Sequence, residues 1–173
     1  MTGGVAGQTK PPEVFFVLGG ARSGKSTYAE GLVEARAGPW VYVATAQTFD
    51  EEMRTRLAEH RARRADGWRT VEEPLDLAGA LAHSGPMLVD CLTLWLTNLM
   101  LAGREPDWPE LVAAIDARPA PTVFVSNEVG LGIVPDNALA RAFRDTAGRL
   151  HQRIAARADR VVFMVAGLPM VLK

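Results

Sequence analysis

Apolar runs at 14–18, 40–45, 87–91, 122–126 and 160–166 alternate with segments whose apolar residues recur every three or four positions. Short apolar runs separated by helical periodicity predict parallel strands with helices packed over them. Ser26 to Ala37 sets Ala29, Leu32, Val33 and Arg36 at helical spacing and stops at Gly38-Pro39, so residues 14–45 read as a short right-handed βαβ unit. Leu92 to Leu101 reads as a buried helix and Pro109 to Ala117 as an amphipathic one. Asn137 to Ala158 reads as a longer, arginine-rich helix broken near Gly148. The segment Val161 to Lys173 contains Gly167 and Pro169 and reads as a strand pair turning at those residues. There is no internal repeat and no low-complexity tract. The pattern predicts an α/β fold, a mostly parallel sheet with helices on both faces.

Directly after Val14-Phe15-Phe16-Val17-Leu18 comes Gly19-Gly20-Ala21-Arg22-Ser23-Gly24-Lys25-Ser26. A strand, a glycine-rich loop and a helix start in this order form a phosphate-binding P-loop. Gly19 and Gly24 let the backbone turn its amides inward, Lys25 reaches the β and γ phosphates, and Ser26 coordinates Mg²⁺ at the helix N-terminus. The loop therefore points to a nucleoside triphosphate, ATP or GTP, and together with the mostly parallel sheet the expected fold is a RecA-like P-loop NTPase.

Composition narrows what surrounds that loop. At 173 residues and 48% hydrophobic content the chain has material for one substantial core, so residues 1–12 read as a flexible lead and 13–173 as one nucleotide-binding catalytic domain. A net charge of -1 gives no pull toward nucleic acid or anionic membrane. The longest apolar stretch, Met87 to Leu101, is interrupted by Asp90, Thr93, Thr97 and Asn98 and falls short of a transmembrane span. Residues 1–10 carry no hydrophobic signal core, and Cys91, the single cysteine, has no intrachain disulfide partner. A reducing cytoplasm is the expected location, with Cys91 a buried small apolar residue.

Asp50 to Arg64 breaks the alternation with a densely charged helical pattern, Glu52 with Arg56 and Glu59 with Arg63 at i,i+4 spacing. Met53, Leu57 and His60 share one face. The segment is either a solvated helix with one boundary histidine or an anion site, in which a neutral imidazole attacks phosphorus while arginines hold phosphate oxygens. Asp90 ends an apolar strand where a metal-side carboxylate of a P-loop enzyme lies, or else caps the helix from Leu92. Glu128 follows the strand Val123-Phe124-Val125-Ser126 and enters a glycine-containing loop up to Pro135, either a site loop at the carboxyl end of the sheet or a surface turn.

Taken together, the residues resemble the bifunctional adenosylcobinamide kinase and adenosylcobinamide-phosphate guanylyltransferase family of cobalamin biosynthesis, over nearly the whole chain. The resemblance rests on the loop Gly19 to Ser26, on Tyr42-Val43-Ala44-Thr45-Ala46, and on Asp50-Glu51-Glu52-Met53 leading to Glu59-His60-Arg61. It continues through Trp68-Arg69-Thr70-Val71-Glu72, Asp90-Cys91-Leu92-Thr93 with Thr97-Asn98-Leu99, Asn127 to Pro135, and Phe143-Arg144-Asp145. It implies phosphorylation of the aminopropanol hydroxyl of adenosylcobinamide, then transfer of GMP from GTP through a GMP-histidine, giving adenosylcobinamide-GDP and pyrophosphate. The histidine at the matching position is His60. Some relatives carry two neighbouring histidines there, whereas Glu59 precedes a single His60 in this chain. The resemblance also implies GTP contacts at Gly19, Gly20, Ala21, Arg22, Ser23, Gly24, Lys25, Ser26, Ala44, Thr45, Ala46, Arg61, Ala62, Arg63, Arg64, Glu72 and Asp90, and a homotrimeric assembly. Ala46 stands where some relatives have a hydroxyl residue, which leaves only a backbone contact. The base of the kinase step stays open between Glu128 and Asp90.

Two other functions share parts of this pattern. A monofunctional small-molecule kinase keeps Lys25, Ser26 and Asp90 and has no need of His60, so labelled GTP separates it from the bifunctional reading. A regulatory GTP switch wants a guanine-reading Asn-Lys-x-Asp motif, which the chain lacks.

Overall fold

The computed structural model describes residues 13–47 and 66–173. The expected N-terminal lead 1–12 and the charged segment 50–64 lie outside the described residues. Strands β1 (Val14–Gly19), β2 (Trp40–Ala44), β3 (Trp68–Glu72), β4 (Met87–Asp90), β5 (Thr122–Asn127), β6 (Arg160–Val165) and β7 (Leu168–Val171) form one sheet in the order β3-β2-β4-β5-β1-β6-β7. All pairings are parallel except β6 with β7. The described helices are α1 (Lys25–Glu34), α2 (Leu77–Ala80), α3 (Leu92–Leu101), α4 (Trp108–Asp116) and α5 (Ala138–Arg157).

Alternation along the strands splits the core between the two faces of the sheet. On one side Phe15 and Val17 of β1, Tyr42, Leu88, Val123 and Val125 pack with Ala29 and Val33 of α1. On the other, Phe16, Val43, Val89 and Phe124 pack with Leu77, Leu92, Trp95, Leu111, Ile115, Leu150 and Ile154 from α2 to α5. Helices therefore cover both faces, as the pattern predicts. The expected βαβ unit is wider than its sequence spacing implies, since β4 and β5 lie between β1 and β2.

Three local differences have physical reasons. β3 was not among the expected strands because Arg69 and Glu72 dilute its apolar signal; it is an edge strand with a half-buried face, which tolerates such residues. α5 runs unbroken through Gly148, where a Cβ would meet nothing within 4 Å. The cost of a mid-helix glycine, about 1 kcal/mol, is outweighed by the buried stripe Ala147, Leu150, His151 and Ile154. The C-terminal hairpin turns at Ala166 (φ 51°) and Gly167 (φ 81°), the two left-handed positions a tight two-residue turn requires. Pro169 sits inside β7 rather than at the turn, on an edge strand where its missing N–H is tolerated.

Arg118 is a buried cation that the sequence pattern does not reveal. Its guanidinium donates to Thr122 Oγ1 (2.9 Å) and to the carbonyls of Leu81 (2.8 Å), Gly85 (2.7 Å) and His83. Burial pulls its pKa down to about 10, still charged at neutral pH. The fork ties the segment after α2 to the start of β5. Arg118→Met is expected to cost about 3 kcal/mol, because it strands several buried acceptors at once. A denaturant midpoint that stays at the wild-type value refutes this role.

Candidate nucleotide-binding site

The loop between β1 and α1 is built around close backbone approach. A Cβ on Gly19 would lie 2.5 Å from Ser23 Oγ and 2.8 Å from the Met164 carbonyl oxygen, so no side chain fits. Arg22 (φ 56°) and Gly24 (φ 89°) are left-handed. Left-handed residues set among right-handed ones gather amides into an anion-binding concavity, and here that concavity opens onto the N-terminus of α1. Ser23 is buried, and its Oγ has no hydrogen-bond partner among the described residues. The β6–β7 turn braces the loop from behind, with Gly167 N donating to the Ser23 carbonyl at 3.0 Å.

Lys25 is buried, and its Nζ donates to the Gly20 carbonyl at 3.0 Å, across the mouth of the loop. Ser26 Oγ donates to Asp90 Oδ2 at 3.3 Å, and the Tyr42 hydroxyl donates to the same oxygen at 3.1 Å. Asp90 does not cap α3. Cys91 occupies the cap position, and no side chain there bonds the helix amides. The Asp90 carboxylate instead faces the start of α1 from the end of β4.

Register explains why residues far apart in sequence meet. Glu72 pairs with Ala44, Ala44 with Asp90, Asp90 with Val125 and Gly19 with Asn127, so the carboxyl ends of β3, β2, β4, β5 and β1 form one edge. In open α/β sheets ligands bind along that edge. Glu72 is exposed there and Ala46 is half-buried. Ala44 is buried, and Thr45 is turned fully inward. The Thr45 hydroxyl donates to the Cys91 carbonyl (2.8 Å) and accepts from Cys91 N (2.9 Å), while the Thr45 carbonyl accepts from Asn98 Nδ2 (2.7 Å). Thr45 and Asn98 thus pin the end of β2 to the β4–α3 junction. Burial, followed by the charge of Asp90, pushes the Cys91 thiol up, which fits a structural rather than a nucleophilic cysteine. His60, Arg61, Ala62, Arg63 and Arg64 lie outside the described residues.

The sequence reading missed three residues near this edge. Tyr42 looks like one more apolar strand residue, yet its hydroxyl orients Asp90. Ser126 and His151 join Glu128 in a line: Ser126 Oγ is 2.8 Å from His151 Nε2, and His151 Nδ1 is 3.7 Å from Glu128 Oε2. A histidine in the buried stripe of an amphipathic helix was the available signal.

A family model described as CobU, cobinamide kinase / cobinamide phosphate guanyltransferase, matches residues 15–172. The chain is 52% identical over 166 residues to the bifunctional adenosylcobalamin biosynthesis protein CobP of Pseudomonas aeruginosa, covering 91% of this chain and 96% of that protein. It is 43% identical over 182 residues to the bifunctional adenosylcobalamin biosynthesis protein CobU of Salmonella typhimurium, covering 92% and 99%. The Escherichia coli protein of that name is 39% identical over 181 residues, with 92% and 99% covered. On the strength of these matches the chain belongs to the cobinamide kinase / cobinamide phosphate guanyltransferase family.

Proposed function

We propose that the chain catalyses two successive reactions at the carboxyl edge of its sheet. In the first, the aminopropanol hydroxyl of adenosylcobinamide attacks the γ phosphorus of ATP or GTP. In the second, a His60 imidazole nitrogen attacks the α phosphorus of GTP and pyrophosphate leaves; an oxygen of adenosylcobinamide phosphate then attacks the same phosphorus and releases the imidazole. Dividing a transfer between two anions into two displacements lowers each barrier. The observation that carries this reading is the meeting of the loop Gly19 to Ser26 with Asp90, inside a family match spanning residues 15–172.

The hydroxyl of Ser26 beside the carboxylate of Asp90 is a hard-oxygen donor pair of the kind Mg²⁺ takes when phosphates and water complete its shell. Bound there, Mg²⁺ supplies neutralisation of phosphate charge. Lys25 adds a second positive charge, and the loop amides with Gly20, Ala21, Arg22, Ser23 and Gly24 cradle the phosphate oxygens. Glu72, Ala44 and Ala46 are assigned to the rest of the nucleotide through the family resemblance, with Thr45 holding the end of β2 in position. Arg61 to Arg64 are assigned to the same triphosphate through the family resemblance.

Adenosylcobinamide incubated with GTP and Mg²⁺ should yield first the phosphorylated corrinoid, then adenosylcobinamide-GDP and pyrophosphate, by mass analysis. Failure to form any phosphorylated corrinoid overturns the reading. Asp90→Asn preserves the shape of the carboxylate and so should leave the unfolding midpoint near wild type, while nucleotide affinity or turnover falls about tenfold or more as the charge is lost. Unaltered binding and rate constants would make Asp90 purely structural.

A homotrimer is proposed as the assembly. Exposed Leu168, Met170, Val171 and Leu172 on the edge hairpin, and Leu131, Ile133 and Val134 beyond β5, supply apolar surface of the kind that subunit contacts cover. Light scattering on the purified protein gives the mass directly. Among the described residues no helix is long and apolar enough to cross a membrane, and a cytoplasmic location is proposed on the family's biosynthetic role.

A further inference from the structure

We propose that Glu128 accepts the proton of the acceptor hydroxyl in the phosphoryl-transfer step, with His151 and Ser126 as the positioning residues behind it. This rests on the kinase reading above. The hydroxyl oxygen forms a bond to the γ phosphorus, the bond from that phosphorus to the bridging oxygen breaks, the nucleoside diphosphate leaves, and the hydroxyl proton passes to the Glu128 carboxylate and then to water.

Two carboxylates stand at the edge of the crevice beside the loop, and their surroundings suit them to different work. Asp90 Oδ2 already receives two hydroxyl hydrogens, from Ser26 and Tyr42. Those two contacts occupy the oxygen on the side of the phosphate loop and of β2, which fits a metal-side role. Glu128 is tied differently. Its amide donates to the Gly19 carbonyl at 3.1 Å, which fixes it against the first residue of the phosphate loop. Its Oε1 accepts from Gly130 N, and Oε2 faces His151 Nδ1. The side chain is half-buried, so it borders the crevice without being sealed from it.

The imidazole sets the direction of that contact. His151 lies in the buried stripe of α5, its ring 5.7 Å from that of Phe16, and its Nε2 meets the fully buried hydroxyl of Ser126. With the Ser126 hydroxyl hydrogen received at Nε2, the ring carries its proton on Nδ1, the nitrogen that faces Glu128 Oε2 at 3.7 Å. Burial lowers the pKa of His151, against the pull of Glu128, and favours the neutral ring. The neutral ring then stands beside the Glu128 carboxylate as an orienting contact. A polar pair buried in an apolar stripe has a desolvation cost, and orienting this carboxylate is the use the geometry gives it.

The test separates the two reactions. Kinase turnover is measured with adenosylcobinamide and ATP; GMP transfer is measured separately from supplied adenosylcobinamide phosphate and GTP. Glu128→Gln keeps the Gly130 contact and should lower kinase kcat about 10²–10⁴-fold, the usual contribution of a general base. Nucleotide KM and GMP transfer should stay within about threefold of wild type. His151→Asn should lower kinase kcat about tenfold, again sparing GMP transfer. Formate added to Glu128→Ala should restore part of the kinase rate, which a merely structural role would not allow. Wild-type kinase turnover in Glu128→Gln overturns the proposal. So does parallel loss of both reactions, or absence of formate rescue in a variant that still folds and binds nucleotide. If the unsubstituted protein forms no phosphorylated corrinoid, it is the kinase reading itself that fails.

Discussion

Lys25→Ala is expected to disable both reactions, lowering kcat/KM for phosphorylation and for GMP transfer by about 10²–10³-fold, or about 3–4 kcal/mol of transition-state stabilisation. Both reactions develop negative charge on a departing phosphate, and in the proposed function one loop serves both. Lys25 is buried with Nζ 3.0 Å from the Gly20 carbonyl, held at the mouth of the loop rather than extended into water. A charge fixed in a water-poor site stabilises developing charge more strongly than one free in solvent. Lys25→Arg should recover little, because a planar fork does not fit a site shaped for a compact ammonium. The loop's own architecture should survive Lys25→Ala, since Gly19, Arg22 and Gly24 set its backbone. Steady-state kinetics of each reaction, with circular dichroism as a fold control, checks this. Wild-type kinase turnover at saturating nucleotide would remove Lys25 from the mechanism, and loss of one reaction alone would divide the shared site.

Much of this arrangement is legible in the sequence because its signals are local. Val14 to Leu18 followed at once by Gly19 to Ser26 determines strand, loop and helix start within a dozen positions, and the fold places them so. Asp90 is legible for a similar reason: an apolar strand that ends on a carboxylate puts that carboxylate at the sheet's edge. What stayed hidden depends on partners distant in the chain. The hydroxyl of Tyr42 meets a residue 48 positions away, and Ser126 meets His151 across 25. No periodicity encodes such pairings; the first follows from the strand order that sets β2 beside β4, and the second from the packing of α5 on the sheet. Arg118 is the extreme case, since an arginine before Pro119 reads as solvent-facing until the carbonyls that surround it are known. β3 was hidden for another reason, because an edge strand needs only one buried face and its charged residues mask that face.

His60→Ala is expected to abolish GMP transfer while leaving most of the kinase turnover. A covalent intermediate at the α phosphorus needs a nucleophile with a free lone pair near neutral pH, which imidazole provides. The other histidines are poor alternatives on structural grounds. His151 is buried with Nε2 held by Ser126 and Nδ1 turned to Glu128, so neither nitrogen is presented to a phosphate. His83 follows α2, and its carbonyl receives the buried Arg118 guanidinium, away from the carboxyl edge of the strands. Incubation with α-labelled GTP should therefore leave one adduct per chain, with its phosphorus–nitrogen bond lost in acid and preserved in base. The γ label should not be retained, since pyrophosphate carries it away. In His60→Ala the adduct should vanish, whereas phosphorylation of adenosylcobinamide should proceed at no less than about one third of the wild-type rate, because that step passes its phosphoryl group directly between oxygens. An adduct that persists in His60→Ala, or a labelled peptide that contains His83 or His151, would overturn both the assignment and the two-displacement course of GMP transfer.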